Sequence, residues 1–276
     1  MIYPHEIKVI CCDVDGTLVT DEKKIMPEVK RWVQVAVNRK NVKFVIVSGR
    51  MLSGIRHYYD ELGITGPVSA FNGNALYDEE DRLVADHRVS GKIARRVIDA
   101  SRRVSIPLIF FDNCTWYMEK YDEYTINHKT PIYLSDCVFS DFDILCEKKL
   151  SNKFLAMTPD NNLIDRFVSE LEKEGIDCNT VNFYRGKDFI EIMGRDFTKG
   201  NAVDDVSRFF NVPCENIMAI GDDYNDVPML ERAGLAVAMG NAVDEAKKVS
   251  DFITSTNEDG GVAKAIERFV FGVYNE

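Results

Sequence analysis

A short apolar run, Val9-Ile10-Cys11-Cys12, ends abruptly in Asp13-Val14-Asp15-Gly16-Thr17-Leu18. The run is too short for a typical helix and reads as a strand buried on both faces, the kind found in parallel sheets. Two carboxylates then stand two residues apart at its C-terminal end, on one side of an extended backbone. In open α/β sheets, ligands gather at the carboxyl ends of strands. Two acids so placed repel each other unless a cation or a shared proton compensates. A hard divalent cation such as Mg2+, which takes oxygen ligands, fits that need.

The segments that follow keep the same rhythm. Glu28 to Lys40 carries Val29, Trp32, Val33, Ala36 and Val37 on one helical face, with Pro27 in the first turn. Val42 to Val47 is a second strand, closed by Ser48-Gly49-Arg50, and Leu52 to Leu62 is expected to form a helix. Val68 to Phe71 is a third strand, Asn72-Gly73 a turn, and Leu76 to Asp78 with Leu83 to Asp86 a hairpin. Strand and helix in alternation specify a parallel sheet with crossover helices.

From about Val89 the pattern changes to helix, paired strands, a polar and aromatic stretch from Lys120 to Tyr133, then strand, helix and two strands. This reads as an inserted α+β module. The parallel rhythm resumes at Thr198-Lys199-Gly200, with a strand over Asn216 to Ile220 that runs into Gly221-Asp222-Asp223-Tyr224-Asn225-Asp226. The fold expected is therefore α/β, a discontinuous core of residues 1–85 and 194–276 with an α+β domain of residues 86–193 inserted.

Composition narrows the function classes. The chain has 276 residues, 45% of them hydrophobic, and a net charge of −11. The acidic balance argues against a nucleic-acid binder. The start, Met1 to Glu6, lacks a basic stretch followed by an apolar one, and no apolar run approaches the ~18 residues of a membrane span. Seven cysteines are scattered, with no CxxC pair and no His/Cys cluster. Reduced thiols in a cytoplasmic chain are expected, and a zinc site is not.

Four polar groups fall at strand ends or a helix start of the core: Asp13 and Asp15, Ser48, Lys199, and Asp222 to Asp226. Each alone has a plain explanation as a turn former, a strand end or a solvated charge. An EF-hand loop is excluded, because Gly16 is fourth and Lys24 twelfth from Asp13 where that loop needs Gly sixth and Glu twelfth. Together the four make coherent chemistry. Carboxylates can hold a cation and supply a nucleophile, while a hydroxyl, an ammonium, an amide and backbone N–H groups can bind a phosphoryl group.

In this order the segments resemble motifs I to IV of the haloacid dehalogenase superfamily. The insertion, together with Phe71-Asn72-Gly73-Asn74-Ala75, Val237 to Ala242 and Glu258-Asp259-Gly260-Gly261-Val262, is similar to the Cof-type subfamily with its C2B cap. Asp223 departs from that pattern, standing where the subfamily often has Asn. The resemblance implies a Rossmann-like core and a Mg2+-dependent phosphatase acting through an aspartyl-phosphate on small phosphorylated metabolites such as sugar phosphates. It implies Asp13 as nucleophile and Asp15 as acid and base, the latter needing a raised pKa. It implies a metal held by Asp13, the Asp15 carbonyl and Asp222, with Asp226, Thr17 and Arg50 in support. Val14, Ser48, Gly49, Lys199 and Asn225 would hold the phosphoryl group. The cap would close over the crevice, with Asn182 to Lys187 as candidate substrate contacts.

Alternatives stay open at this level. A phosphotransferase or phosphomutase could use the same scaffold, and a non-catalytic phosphate-ligand binder could retain it. A nucleotide-binding Rossmann domain lacks its motif, since no GxGxxG follows the first strand. The oligomeric state is not encoded in any feature read so far.

Overall fold

The computed structural model describes residues 4–133, 137–148, 151–177, 181–194 and 198–273, without the side chains of 129–133, 148 and 181–184. Backbone packing divides the chain into two compact units, one of Met1–Arg50, Ile55–Ala85 and Thr198–Glu276, the other of Met51–Gly54 and Asp86–Phe197.

The first unit begins with β1 (Val9–Cys12), α1 (Pro27–Lys40), β2 (Lys43–Val47), α2 (His57–Leu62), β3 (Val68–Ala70), β4 (Ala75–Tyr77) and β5 (Leu83–Asp86). In the second follow α3 (Gly91–Val104), β6 (Leu108–Asp112), β7 (Thr115–Met118), α4 (Glu123–Tyr133), β8 (Val138–Phe139) and α5 (Phe142–Lys148). It ends with β9 (Lys153–Met157), α6 (Asn161–Lys173), β10 (Val181–Arg185) and β11 (Phe189–Gly194). The chain then returns to the first unit through α7 (Lys199–Phe210), β12 (Ile217–Gly221), α8 (Val227–Arg232), β13 (Leu235–Ala238), α9 (Asp244–Val249), β14 (Phe252–Ile253) and α10 (Gly261–Phe271).

Eight strands of the first unit form one sheet in the order β14-β13-β12-β1-β2-β3-β4-β5. Pairing is parallel from β14 to β3 and turns antiparallel at β3–β4. β1 lies at the centre, between β12 and β2, in register Cys12↔Ile220 and Cys12↔Ile46. All four of its residues are fully buried, as the continuous apolar run requires. The strand order reverses direction beside β1, the position at which doubly wound sheets open a crevice.

The second unit is a six-stranded sheet in the order β10-β11-β9-β6-β7-β8, antiparallel except for β7–β8. Phe110, Phe154, Ala156, Ile190 and Ile192 of the sheet share one apolar cluster with Val97 and Ile98 of α3, Phe167 and Leu171 of α6, and Phe142 of α5.

The polar and aromatic stretch from Lys120 to Tyr133 carries α4, a helix with no amphipathic stripe and with Pro131 inside it. One local expectation is corrected. Leu52 to Leu62 is not one helix: a 3-10 turn at Leu52–Gly54 precedes α2, which starts only at His57. Among the described residues no helix is long and apolar enough to cross a membrane.

Candidate active site

The carboxyl end of β1 delivers Asp13, whose N–H donates to the Ile220 carbonyl of β12 at 3.0 Å. The chain then folds back on itself, because the Val14 carbonyl accepts from the N–H groups of Thr17, Leu18 and Val19. Val14 is fully buried. Gly16 holds φ at +79°, and a β carbon there would collide with the Asp222 carboxylate. Glycine at 16 thus serves both the turn and the close approach of Asp222.

The end of β12 supplies the second wall. Asp223 caps a 3-10 turn over Tyr224–Asp226, and Asp226 Oδ2 accepts from the N–H groups of Asp222 and Asp223 at 2.9 and 3.0 Å. This ties the loop into one shape. The third wall is the start of α7. Thr198 caps it, its hydroxyl accepting from the Gly200 N–H at 3.2 Å, while Asn201 Oδ1 accepts from the Thr198 N–H at 2.8 Å. This reciprocal cap fixes where the helix begins, and so where Lys199 stands.

Lys199 is buried, and its Nζ lies 2.6 Å from both Asp13 Oδ1 and Asp226 Oδ1. Burial by itself would lower the lysine pKa, but the two carboxylates outweigh it and raise it. Burial, reinforced by Asp226 and Asp222 and opposed by Lys199, pushes the Asp13 carboxyl well above the usual carboxylate range. Asp222 accepts from the Thr17 hydroxyl at 2.7 Å. Burial, with Asp226 nearby, pushes it up to about 6 against that hydrogen bond. Asp13, Asp222 and Asp226 bring carboxylate oxygens within 4.8 Å of one another.

Asp15 behaves differently from Asp13. Arg50 grips it with two prongs, Nε to Oδ2 at 2.8 Å and Nη2 to Oδ1 at 2.6 Å, and Lys23 Nζ reaches Oδ1 at 2.7 Å. Partial burial would raise the Asp15 pKa, but the Arg50 and Lys23 hydrogen bonds and charges outweigh it and hold the carboxyl below its ordinary value. The raised pKa expected of Asp15 is therefore not found in this conformation. The two acids of the first motif are shifted in opposite senses, and the raised one is Asp13.

Ser48 is buried at the end of β2, its Oγ accepting from the Arg50 N–H at 3.3 Å. Asn225 Nδ2 donates to Asn72 Oδ1 at 3.1 Å, and the Asn72 N–H donates to the Ser48 carbonyl at 2.9 Å. Asp13, Asp15, Thr17, Ser48, Gly49, Arg50, Lys199, Asp222, Asn225 and Asp226 are thus brought to the ends of neighbouring strands and the start of α7. Three residues went unassigned at the sequence level. Asn72 stands in a turn signal and in a segment similar to the subfamily, with no role attached to it. Lys23 lies in the loop after the first motif, eight residues beyond Asp15. Asn241, within a segment similar to the subfamily, donates from Nδ2 to the Gly16 carbonyl at 2.8 Å.

In the second unit, the candidate contacts Asn182, Phe183 and Tyr184 lie outside the described side chains. Arg185 pairs with Asp165 at 2.7 Å, and the Gly186 N–H closes the hairpin onto the Phe189 carbonyl at 3.0 Å.

Residues 10–266 match the haloacid dehalogenase-like hydrolase family. The Bacillus subtilis protein YxeH is 30% identical over 271 residues, covering 95% of this chain and 98% of its own. The 5-amino-6-(5-phospho-D-ribitylamino)uracil phosphatase YitU of the same organism is 28% identical over 264 residues, covering 94% and 96%. The crystal structure of TM0651 from Thermotoga maritima, 27% identical, superposes with a TM-score of 0.85 over 98% of both chains. Fold, motif order and these likenesses agree: the chain belongs to the haloacid dehalogenase-like hydrolase family, as a phosphatase of its Cof type.

Proposed function

We propose that the protein hydrolyses small phosphate monoesters, sugar phosphates or related phosphorylated metabolites, through an aspartyl-phosphate formed on Asp13. The observation that carries this is the position of Asp13. It is buried at the end of the central strand, with a lysine 2.6 Å away and two further carboxylates in reach.

The residues present fit a divalent cation. Their donors are all oxygens, the set that Mg2+ prefers. Asp226 has both oxygens engaged, by Lys199 and by two N–H groups. The resemblance implies Asp13, Asp222 and the Asp15 main-chain carbonyl as the groups that would hold the metal, with Asp226 bracing them. When bound, Mg2+ supplies positive charge that offsets the phosphoryl group and the clustered carboxylates.

The Asp13 carboxylate attacks phosphorus in line, and the leaving oxygen takes a proton from Asp15. Asp15 then takes a proton from the water that opens the aspartyl-phosphate. To give a proton Asp15 must first leave the Arg50 and Lys23 grip and acquire one. Ser48, the Gly49 and Val14 N–H groups, Lys199 and Asn225 hold the phosphoryl oxygens as charge develops. Residues 86–193 are assigned the contacts to the leaving group, the role that the resemblance to a C2B cap implies. The likeness to YitU, a 5-amino-6-(5-phospho-D-ribitylamino)uracil phosphatase, supports a small phosphorylated metabolite as substrate.

Asp13→Asn tests the assignment. Mg2+-dependent release of phosphate from p-nitrophenyl phosphate should vanish while the melting temperature holds. Full turnover by that variant would remove Asp13 from the role of nucleophile.

A further inference from the structure

The segment Phe71-Asn72-Gly73, just after β3, has an unusual backbone. Its φ angles are +54°, +58° and +85°, three left-handed residues in succession, the first an aromatic. Bulky side chains rarely accept that region, and such outliers persist where the surroundings over-determine them. Here the surroundings are the site itself. The Phe71 N–H donates to the Arg50 carbonyl at 3.1 Å and the Asn72 N–H to the Ser48 carbonyl at 2.9 Å. A β carbon at Gly73 would collide with the Thr198 carbonyl, so the turn is also wedged against the start of α7.

The Asn72 side chain is buried and reaches across to the loop after β12, where its Oδ1 accepts from Asn225 Nδ2. It crosses directly over Gly49, since a β carbon at 49 would lie 3.0 Å from Asn72 Oδ1 and 3.3 Å from Nδ2. One short turn therefore touches the second, third and fourth motifs at once.

We propose that Asn72 is a positioning residue that acts through Asn225. A terminal amide torsion is broad and roughly two-fold. Unrestrained, the Asn225 amide could present its oxygen to an anion as readily as its nitrogen. An acceptor on Asn72 selects the nitrogen face, uses one of its two hydrogens and aims the other. This rests on the assignment of Asn225 to the phosphoryl group.

The test is a double-mutant cycle with Asn72→Gly and Asn225→Ala, assayed with p-nitrophenyl phosphate and Mg2+. Glycine removes the side chain yet accepts the positive φ, so the turn survives. Should Asn72→Gly lower the melting temperature, the cycle is read at a temperature at which circular dichroism shows all four proteins folded. Asn225→Ala should lower kcat/KM by ~100-fold, the scale of one lost oxyanion donor. Asn72→Gly alone should lower it by about ten-fold, and should lower it less than two-fold further once Asn225 is alanine, as coupled sites require. Inhibition by orthovanadate should weaken in parallel in Asn72→Gly and not in the Asn225→Ala background. Wild-type kinetics in Asn72→Gly would overturn the proposal, and so would independent, multiplying losses in the double variant. Activity that persists in the wild type and is abolished in Asp13→Asn keeps the phosphatase assignment standing whatever the cycle shows. A wild type that releases no phosphate from any ester would sink both.

Discussion

Arg50 holds Asp15 in a two-pronged ion pair, with Nε 2.8 Å from one carboxylate oxygen and Nη2 2.6 Å from the other. The guanidinium is itself fixed, its Nη1 donating to the Tyr58 hydroxyl at 3.2 Å and its face lying 5.8 Å from that ring. Arg50 thereby aims Asp15 and favours its ionised form, the one that takes a proton from water, and must release the carboxyl before it can act as acid. Arg50→Lys should lower kcat by about ten-fold with little change in KM, because a lysine cannot reproduce the planar fork. Steady-state kinetics decide it, and a kcat equal to the wild type would show that Asp15 is aimed without Arg50.

Lys199 is the counter-charge for two buried carboxylates, Asp13 and Asp226. Removing one partner of such a cluster leaves charge buried and uncompensated, at a cost of about 3–5 kcal/mol. Lys199→Met keeps the volume and loses the charge. Its unfolding free energy, measured by urea denaturation, should fall by that amount, and its kcat by ~100-fold or more, as for a lost electrostatic donor. A variant that keeps wild-type stability would mean that the carboxylates find another counter-charge.

Much of this architecture was legible in the sequence because strand ends carry the chemistry. Val9–Cys12 is a continuous apolar run, so its burial as a strand with Asp13 at its carboxyl end follows from pattern alone, whereas its place between β12 and β2 depends on the topology. The contact of Asn72 with Asn225 was not legible, since neither an Asn-Gly turn signal nor a family-like segment tells whether the amide reaches a neighbour 153 positions away. The depressed pKa of Asp15 was also hidden. It depends on Arg50, 35 residues on, and on Lys23 in an exposed loop, both arranged by tertiary packing. α4 escaped because its polar and apolar residues do not segregate and Pro131 interrupts the pattern.

The thiols give a check on the central strand. Cys11 and Cys12 are fully buried, and burial pushes the Cys11 thiol up to about 12. Cys114 is exposed. Since the thiolate is the reactive form, iodoacetamide at pH 8 should label Cys114 in the native protein and spare Cys11 and Cys12 until urea is added. Peptide mapping by mass spectrometry reads this out. Native labelling of Cys12 would show that β1 is not closed between β2 and β12.

Asn241, in the loop after β13, links three segments around the site. Its Nδ2 donates to the Gly16 carbonyl at 2.8 Å, and its Oδ1 accepts from the Asn257 N–H at 3.0 Å. Asn257 in turn donates to the Val19 carbonyl at 3.1 Å, and Glu258 accepts from the Asp21 N–H at 2.7 Å. The same loop binds the Asp222 carbonyl through the Val243 N–H at 2.9 Å. Asn241 therefore sets the spacing between the turn after Asp13 and the loop that carries Asp222, the two sides assigned to the metal. Asn241→Asp separates its two bonds, since a carboxylate still accepts from Asn257 but no longer donates to Gly16. If the Gly16 bond sets the spacing, Asn241→Asp and Asn241→Ala should both weaken Mg2+ binding, by about three-fold, the low end of the scale for one hydrogen bond because this one is exposed, with melting temperatures of the metal-free proteins little changed. Calorimetric titration of Mg2+ into each variant measures this directly. Recovery of wild-type affinity in Asn241→Asp would assign the effect to the Asn257 side instead.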